Sequence, residues 1–139
     1  EAIRGIYDSL RATSLAIKDD LVLPGGGSTH SRVSYHVRSE MESEPGRERI
    51  AMEAFARAME TIPAVLAENA GQSPLDKVLE LRAEARKENQ AMGVDKKGEV
   101  SPIDDAWHSL SVISESLETS TETAISMLRI DQVVSSRGD

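Results

Sequence analysis

The chain has 139 residues, 39% of them hydrophobic but only 3% aromatic, and a formal net charge of −8. That length suits one domain or one lobe of a larger one, and a core nearly without aromatics must be assembled from Ala, Ile, Leu, Val and Met, a palette that favours packed helices. The acidity, with no Lys/Arg stripe to offset it, excludes a nucleic-acid partner, and the lack of cysteine excludes disulfides, thiol catalysis and cysteine-ligated zinc.

No stretch of about 18 apolar residues and no basic-then-apolar leader is present, so no membrane partner is expected and a cytoplasmic location is. The first residue is Glu1 rather than Met, which points to a processed or excised fragment. The negative charge reads as solvated helix surface, with adaptation to high salt as the sharper alternative.

Ile3, Ile6, Leu10 and Ile17 fall on one face of a first helix, with Ser14 completing the stripe before Lys18-Asp19-Asp20 breaks it. The short apolar run Leu21-Val22-Leu23 closes at Pro24, and Gly25-Gly26-Gly27 follows before Ser28, which is placed to cap a second helix carrying Val33, Val37 and Met41. Glu44-Pro45-Gly46 ends that helix. The third helix has the widest apolar face, formed by Ile50, Ala51, Ala54, Phe55, Ala58, Met59 and Ile62. Pro63 deletes an amide donor and crowds the Met59 carbonyl, so a kink is expected there, with Val65 and Leu66 continuing the buried face and Gly71 terminating it.

Ser73-Pro74-Leu75-Asp76 combines an N-cap, a proline at the first helical position and an acid at the third. The fourth helix it opens runs to about Asn89 and turns Leu75, Val78 and Leu79 inward. Between Gly93 and Pro102 the helical pattern lapses, and Gly98 flanked by Val94 and Val100 suggests a small hairpin over 93–101. Leu110, Ile113, Leu117, Thr121, Ala124 and Leu128 then recur at three- and four-residue steps, which predicts a long helix with one buried seam. Glu115, Glu118 and Glu122 line another face, where like charges so spaced favour exposure. Five helices and one small hairpin make an all-α helical bundle, and no repeat of about 20 to 50 residues is visible.

Several residues with chemical potential have plain structural readings. His30 and His36 are spaced too far apart to share a helix face at ligand spacing, which leaves a metal-dependent hydrolase little support. Together with Tyr35 they are placed on or near the surface of the second helix. Met41, Met52, Met59, Met92 and Met127 read as core filler.

Four stretches taken together resemble the C-terminal equatorial segment of group II, thermosome-like (TCP-1 family) chaperonins: Leu23-Pro24-Gly25-Gly26-Gly27; Gly46-Arg47-Glu48-Arg49-Ile50-Ala51-Met52-Glu53-Ala54-Phe55-Ala56; Ile62-Pro63 with Leu66-Ala67-Glu68-Asn69-Ala70-Gly71; and Leu128-Arg129-Ile130-Asp131. The resemblance extends over nearly the whole chain and is loosest between Asn89 and Ser109. It implies residues 1–139 as the C-terminal portion of an equatorial domain that binds ATP or ADP with Mg2+ and contacts other subunits in a double ring. Hydrolysis in that family drives closure of a chamber around unfolded client proteins. The resemblance also implies that the apical and intermediate domains and the N-terminal equatorial half lie outside this stretch.

Residue by residue, the resemblance makes Gly25, Gly26 and Gly27 the first candidates for nucleotide contact, because backbone without Cβ can approach a ribose or phosphate closely; a flexible lead-in to the helix is the plain alternative. Gly93, Val94 and Asp95 resemble the family's loop on the adenine side, and an ordinary turn is the alternative there. Aligned backwards from Leu128, His108 stands where the family has a ribose-binding acid, and Ser109 where it has proline. A neutral imidazole cannot offer a diol the two acceptor oxygens of a carboxylate. Asp104 and Asp105 are near enough in sequence to substitute if the register shifts.

The family's Gly-Asp-Gly-Thr-Thr type phosphate loop, its magnesium-binding aspartate and the aspartate that orients attacking water are absent from this sequence. No ATPase activity is therefore expected of the chain by itself. Two functions remain in play: an ATP-dependent chaperonin subunit, and a divergent or truncated assembly module with weak or no nucleotide binding. A lobe of this kind exposes apolar surface, so self-association or poor solubility is expected.

Overall fold

The computed structural model describes Ile6, residues 22–87 and residues 90–137. The predicted first helix lies outside the described residues except for Ile6, which is helical and buried. In chain order the elements are strand β1 (Val22–Pro24), helix α1 (Ser28–Glu40) with a following 3-10 turn (Met41–Ser43), α2 (Gly46–Asn69), α3 (Pro74–Ala85), β2 (Met92–Val94), β3 (Val100–Pro102), β4 (Trp107–Ser109) and α4 (Leu110–Arg137). The described chain is predominantly helical, as the apolar periodicity and aromatic-poor composition predict.

Local chemistry sets most of the boundaries. Glu44 is extended ahead of Pro45, the N-cap of α2. At the other end of α2, Gly71 adopts φ 79°. Its N–H donates to the Glu68 carbonyl and that of Gln72 to the Ala67 carbonyl, both at 2.9 Å, the paired bonds of a Schellman stop. Ser73 caps α3 by accepting from the Asp76 amide at 3.4 Å, with Pro74 at the first position.

Three expectations are corrected here. Ser28 is the first residue of α1 rather than its cap; Gly27 takes that place with φ 72°, and no side chain caps the helix. The fourth helix closes at Ala85 instead of about Asn89. The third correction is a second ribbon: β1 pairs antiparallel with β4, Leu23 opposite His108, in addition to the predicted β2–β3 hairpin, where Gly93 lies opposite Ser101. The strands of this ribbon are three residues long and distant in sequence, too short to display the alternation that identifies a strand.

The buried faces also differ from the widest apolar stripes. On α2 the buried residues are Met52, Ala56, Glu60, Pro63 and Ala67, whereas Ile50 is 73% and Ile62 44% exposed, with Val65 and Leu66 also exposed. On α3 Val78 and Leu81 are buried while Leu75 and Leu79 face outward. The α4 seam is buried at Ile113 and Leu117 but open at Ala124 and Leu128. Among the methionines, Met52 is buried, Met41, Met59 and Met92 are partly buried, and Met127 is exposed. Periodicity reveals that a stripe is apolar; which stripe is covered depends on where the neighbouring helices lie.

Three small cores result. Ile6, Val33, Val37, Met52 and Ala56 join α1 to α2; Leu23, Ile113 and Leu117 join β1 to α4; Ala67, Leu81 and Val94 join α2, α3 and the hairpin. A polar link lies between them. The carboxylate of Glu60, 6% exposed, accepts from Ser34 Oγ at 2.8 Å, from Arg82 Nε and Nη2 at 2.8 and 2.6 Å, and from Arg38 Nη2 at 3.1 Å. Arg38 also pairs with Glu53. This network connects α1, α2 and α3.

Candidate functional site

The first two ribbons and the C-terminal end of α2 meet at the glycine triplet. Gly25 donates its N–H to the Ala106 carbonyl at 2.7 Å, and the Val94 amide donates to the Gly26 carbonyl at 2.8 Å. The predicted glycine loop and the predicted Gly93 turn are therefore in direct contact. Each glycine faces a different neighbour. A Cβ on Gly25 would lie 3.0 Å from Ala106 Cβ, one on Gly26 would lie 2.6 Å from the Val94 oxygen, and one on Gly27 would lie 2.8 Å from Pro63 Cβ. Gly26 and Gly27 also have φ values of 63° and 72°, which L side chains rarely adopt. The triplet is thus a packed junction instead of a flexible lead-in to the helix, and Pro63 is one of the groups packed on it.

Gly93 is packed as tightly, since a Cβ there would lie 2.9 Å from the Gly26 oxygen and 3.0 Å from the Gly25 oxygen. Beside this junction opens a cleft of about 310 Å³. One wall is the end of α2, with Leu66, Asn69 and Ala70; the other is Gly26 with Val94, Asp95 and Lys96 of the hairpin. Of the sequence-predicted residues, Gly26, Val94 and Asp95 line it. Gly25, Gly27 and Gly93 support the junction behind it, and His108 is an exposed residue of β4 outside the lining.

The Asp95 side chain has a task of its own. Its carboxylate accepts from the amides of Lys97 and Glu99 at 2.8 and 3.0 Å and from Ser101 Oγ at 3.3 Å, which stitches the hairpin turn. The Glu99 and Lys97 amides hold its pKa below the ordinary carboxylate value. Lys96 reaches across to Asp105 at 2.6 Å; each holds the other in its charged form, raising the lysine pKa and lowering that of the acid. Asp104 accepts from the Trp107 indole through its backbone oxygen at 3.1 Å. Neither Asp104 nor Asp105 lines the cleft.

His30, in the first turn of α1, has its pKa lowered by burial and then by the nearby His108. Ser28 Oγ is buried without a hydrogen-bond partner. Among the described residues no group of three or more His, Asp or Glu could hold a metal ion, and no described helix is long and apolar enough to cross a membrane. The cleft volume lies within the range of small-molecule sites, and the space a Cβ on Gly26 would fill is taken by the Val94 oxygen and Ile103.

Leu66, Asn69, Ala70 and Lys96 were not predicted as site residues. The first three belong to a motif legible in the sequence, but only as the tail of a helix; nothing local tells that this tail faces the hairpin.

Comparison with known proteins places these features in context. The model of the TCP-1/cpn60 chaperonin family matches residues 1–137. Thermosome subunit beta of Archaeoglobus fulgidus is 39% identical over 141 residues, covering 99% of this chain and 26% of the relative. Thermosome subunit 1 of Haloferax volcanii is 39% identical over 137 residues, covering 96% of this chain and 24% of the relative. The solved open-state monomer of a group II chaperonin from Methanococcoides burtonii aligns with a TM-score of 0.72 at 34% identity, over 78% of this chain and 28% of that one. The chain thus spans about a quarter of the length of these relatives.

Proposed function

The chain belongs to the TCP-1/cpn60 chaperonin family, and on that basis we propose that it is the C-terminal part of the equatorial domain of an ATP-dependent protein-folding chaperonin subunit, supplying one wall of the nucleotide pocket. The observation that carries this reading is the junction itself: the glycine triplet and the Gly93 turn, both marked by the resemblance, are joined by the Val94-to-Gly26 hydrogen bond beside an open cleft. The absence of a side chain at Gly26 lets the hairpin close onto the triplet, with the Val94 oxygen where a Cβ would be, and so brings the two walls of the cleft together. Asn69 supplies both a donor and an acceptor, and Lys96 a cation. Because the Asp95 carboxylate is committed to its own turn, the hairpin presents backbone rather than that side chain to a ligand.

Mg2+ and the groups that position phosphate would come from another part of the polypeptide. The metal would supply charge neutralisation for phosphoryl transfer. The chain's own residues hold the base and ribose side and shield it from water. ATP turnover by these 139 residues is not expected.

An open apolar groove of about 530 Å³ between α2 and α4, lined by Ala54, Phe55, Ala58, Ile125 and Leu128 among others, supports the half-domain reading. So do the exposures of Leu128, Ile130 and Val134 on α4, at 70, 65 and 66%. Surfaces of this kind need a partner. In the complete protein that partner is the other half of the domain, and further contacts join subunits into a double ring around unfolded clients, in the cytoplasm.

His108 lies off the cleft lining and provides no carboxylate, which favours a second reading: an assembly module that retains the scaffold while binding nucleotide weakly. Titration of the chain with ADP, followed by backbone amide NMR shifts, separates the two. Saturable shifts centred on Gly26, Asn69 and Val94 through Lys96 support the pocket. Absence of shifts, or shifts confined to distant residues, rejects it.

A further inference from the structure

The two walls of the cleft come from different elements, so something must fix the distance between them. Val94 seats the base of the hairpin against Ala67 and Leu81, and its turn is attached to the α2–α3 corner mainly through Glu99. Its carboxylate accepts from Lys77 Nζ of α3 at 2.7 Å and from Gln72 Nε2 at 3.1 Å. Gln72 also reaches the Lys97 carbonyl at 3.4 Å. Lys77 is 8% exposed, an unusual state for a lysine; Glu99 first, with Glu80 also contributing, raises its pKa, and Glu80 accepts at 3.2 Å. The turn is built to admit this attachment: Gly98 has φ 80°, and a Cβ there would lie 2.4 Å from Gln72 Cγ and 2.9 Å from Ala70 Cβ.

We infer that Lys77 and Glu99 form a clamp that sets the width of the nucleotide cleft, acting as positioning residues that touch no ligand themselves. The inference rests on the pocket reading above. The residues next to each anchor are the cleft walls: Asn69 and Ala70 precede Gln72 by two or three positions, and Asp95 and Lys96 precede Glu99 within one tight turn. The turn keeps its internal stitching through Asp95 whether or not the clamp is closed. Releasing the clamp therefore leaves Val94 seated against Ala67 and Leu81 while the turn beyond it, with Asp95 and Lys96, is free to tilt away from α2. A ligand that needs both walls then binds only the fraction of molecules that remain closed, and its apparent affinity falls by that fraction.

The test is ADP affinity of the chain by NMR titration, for the wild type, Lys77→Met, Glu99→Ala, Glu99→Gln and Ser73→Ala. If the closed fraction drops to about one tenth, Lys77→Met and Glu99→Ala each weaken binding about tenfold, and a variant carrying both substitutions is no weaker than Glu99→Ala alone, because that change already removes the Lys77 attachment. Glu99→Gln keeps an acceptor oxygen at the same reach and retains more affinity than Glu99→Ala. In Lys77→Met the amide shifts of Lys97 and Glu99, set by Asp95, stay in place and report an intact turn. Ser73→Ala removes the α3 cap without touching the clamp, so it lowers stability and leaves affinity unchanged.

Equal weakening by Ser73→Ala would show that general stability is responsible and overturn the clamp. So would wild-type affinity in Lys77→Met, or collapse in that variant of the Lys97 and Glu99 shifts together with affinity. If the wild type shows no shifts at Gly26 or Val94 with ADP, the pocket reading fails and the clamp with it; if those shifts are present and the clamp variants bind normally, only the clamp fails.

Discussion

Replacing Glu60 by alanine tests the polar network at the centre of the helical packing. The carboxylate is 8% exposed as a side chain and accepts from Ser34, Arg38 and Arg82. Removing one member of a buried ion pair costs about 3–5 kcal/mol, because the remaining charges stay desolvated without a partner. Two features move the value toward the lower end: the Arg82 side chain is 38% exposed and can turn to water, and Arg38 keeps Glu53. One feature opposes this, since Ser34, 1% exposed, loses its acceptor at a cost of about 1–3 kcal/mol. A loss of about 3–4 kcal/mol is expected, a large share of the roughly 5–15 kcal/mol that stabilises a typical domain.

Urea denaturation followed by far-UV circular dichroism measures it. With a slope of about 2 kcal/mol per molar urea, the midpoint falls by about 1.5–2 M. A change below about 1 kcal/mol would place the network with exposed surface pairs and refute its assignment as the link between α1, α2 and α3. Acid provides a second arm. Burial by itself would raise the Glu60 pKa, but hydrogen bonds from Arg82, Arg38 and Ser34 outweigh it and hold the carboxyl below its ordinary value. Its contribution is thus complete above the unfolded pKa, about 4.3, and is lost as pH falls through the lower folded value. Glu60→Gln, which cannot titrate, flattens this part of the acid dependence relative to wild type.

Gly27→Ala places a Cβ 2.8 Å from Pro63 at φ 72°, so it costs more than the roughly 1–2 kcal/mol of a left-handed alanine alone; Gly71→Ala, with φ 79° but nothing within 4 Å, pays only that backbone term, and equal urea midpoints would contradict the tight Gly27–Pro63 contact. Ser28→Ala removes a buried hydroxyl that has no partner and raises stability by about 1 kcal/mol, whereas a fall in midpoint would reveal a hydrogen bond at Ser28 Oγ. His30 titrates low because of burial first and His108 second, so the stability it contributes is present above about pH 6.5 and is lost as pH falls through its lower folded value. His108→Ala raises the His30 pKa in an NMR titration while leaving it below the ordinary value; an unchanged pKa would mean that the two imidazoles do not sense each other.

How far the sequence reaches can be judged from particular residues. Ser73 with Pro74, Gly71 and the Gly98 turn act through bonds spanning only a few residues, and each was legible as a boundary because the chemistry is contained in the segment itself. The glycine triplet and the Gly93 turn were legible as site candidates through the motifs they belong to. Their contact was not, because a hydrogen bond from Val94 to Gly26 depends on how the intervening helices pack. Asp95 stands in the sequence as a candidate for nucleotide contact or as an ordinary turn residue, and only the folded hairpin shows its carboxylate committed to the turn amides.

Glu60 illustrates the same limit from the other side. In a sequence it is one acid among many on an alanine-rich helix, and the face it shares with Met52, Ala56 and Pro63 looks less apolar than the face of Ile50 and Ile62. It is buried because Arg38 and Arg82 approach from two other helices and compensate its charge. Composition, periodicity and short-range caps determined the helical class and most of the element boundaries, since these depend on neighbours along the chain. Which faces are covered, which glycines touch, and which polar groups become buried pairs were decided only by the tertiary structure, because those outcomes depend on the positions of groups distant in sequence.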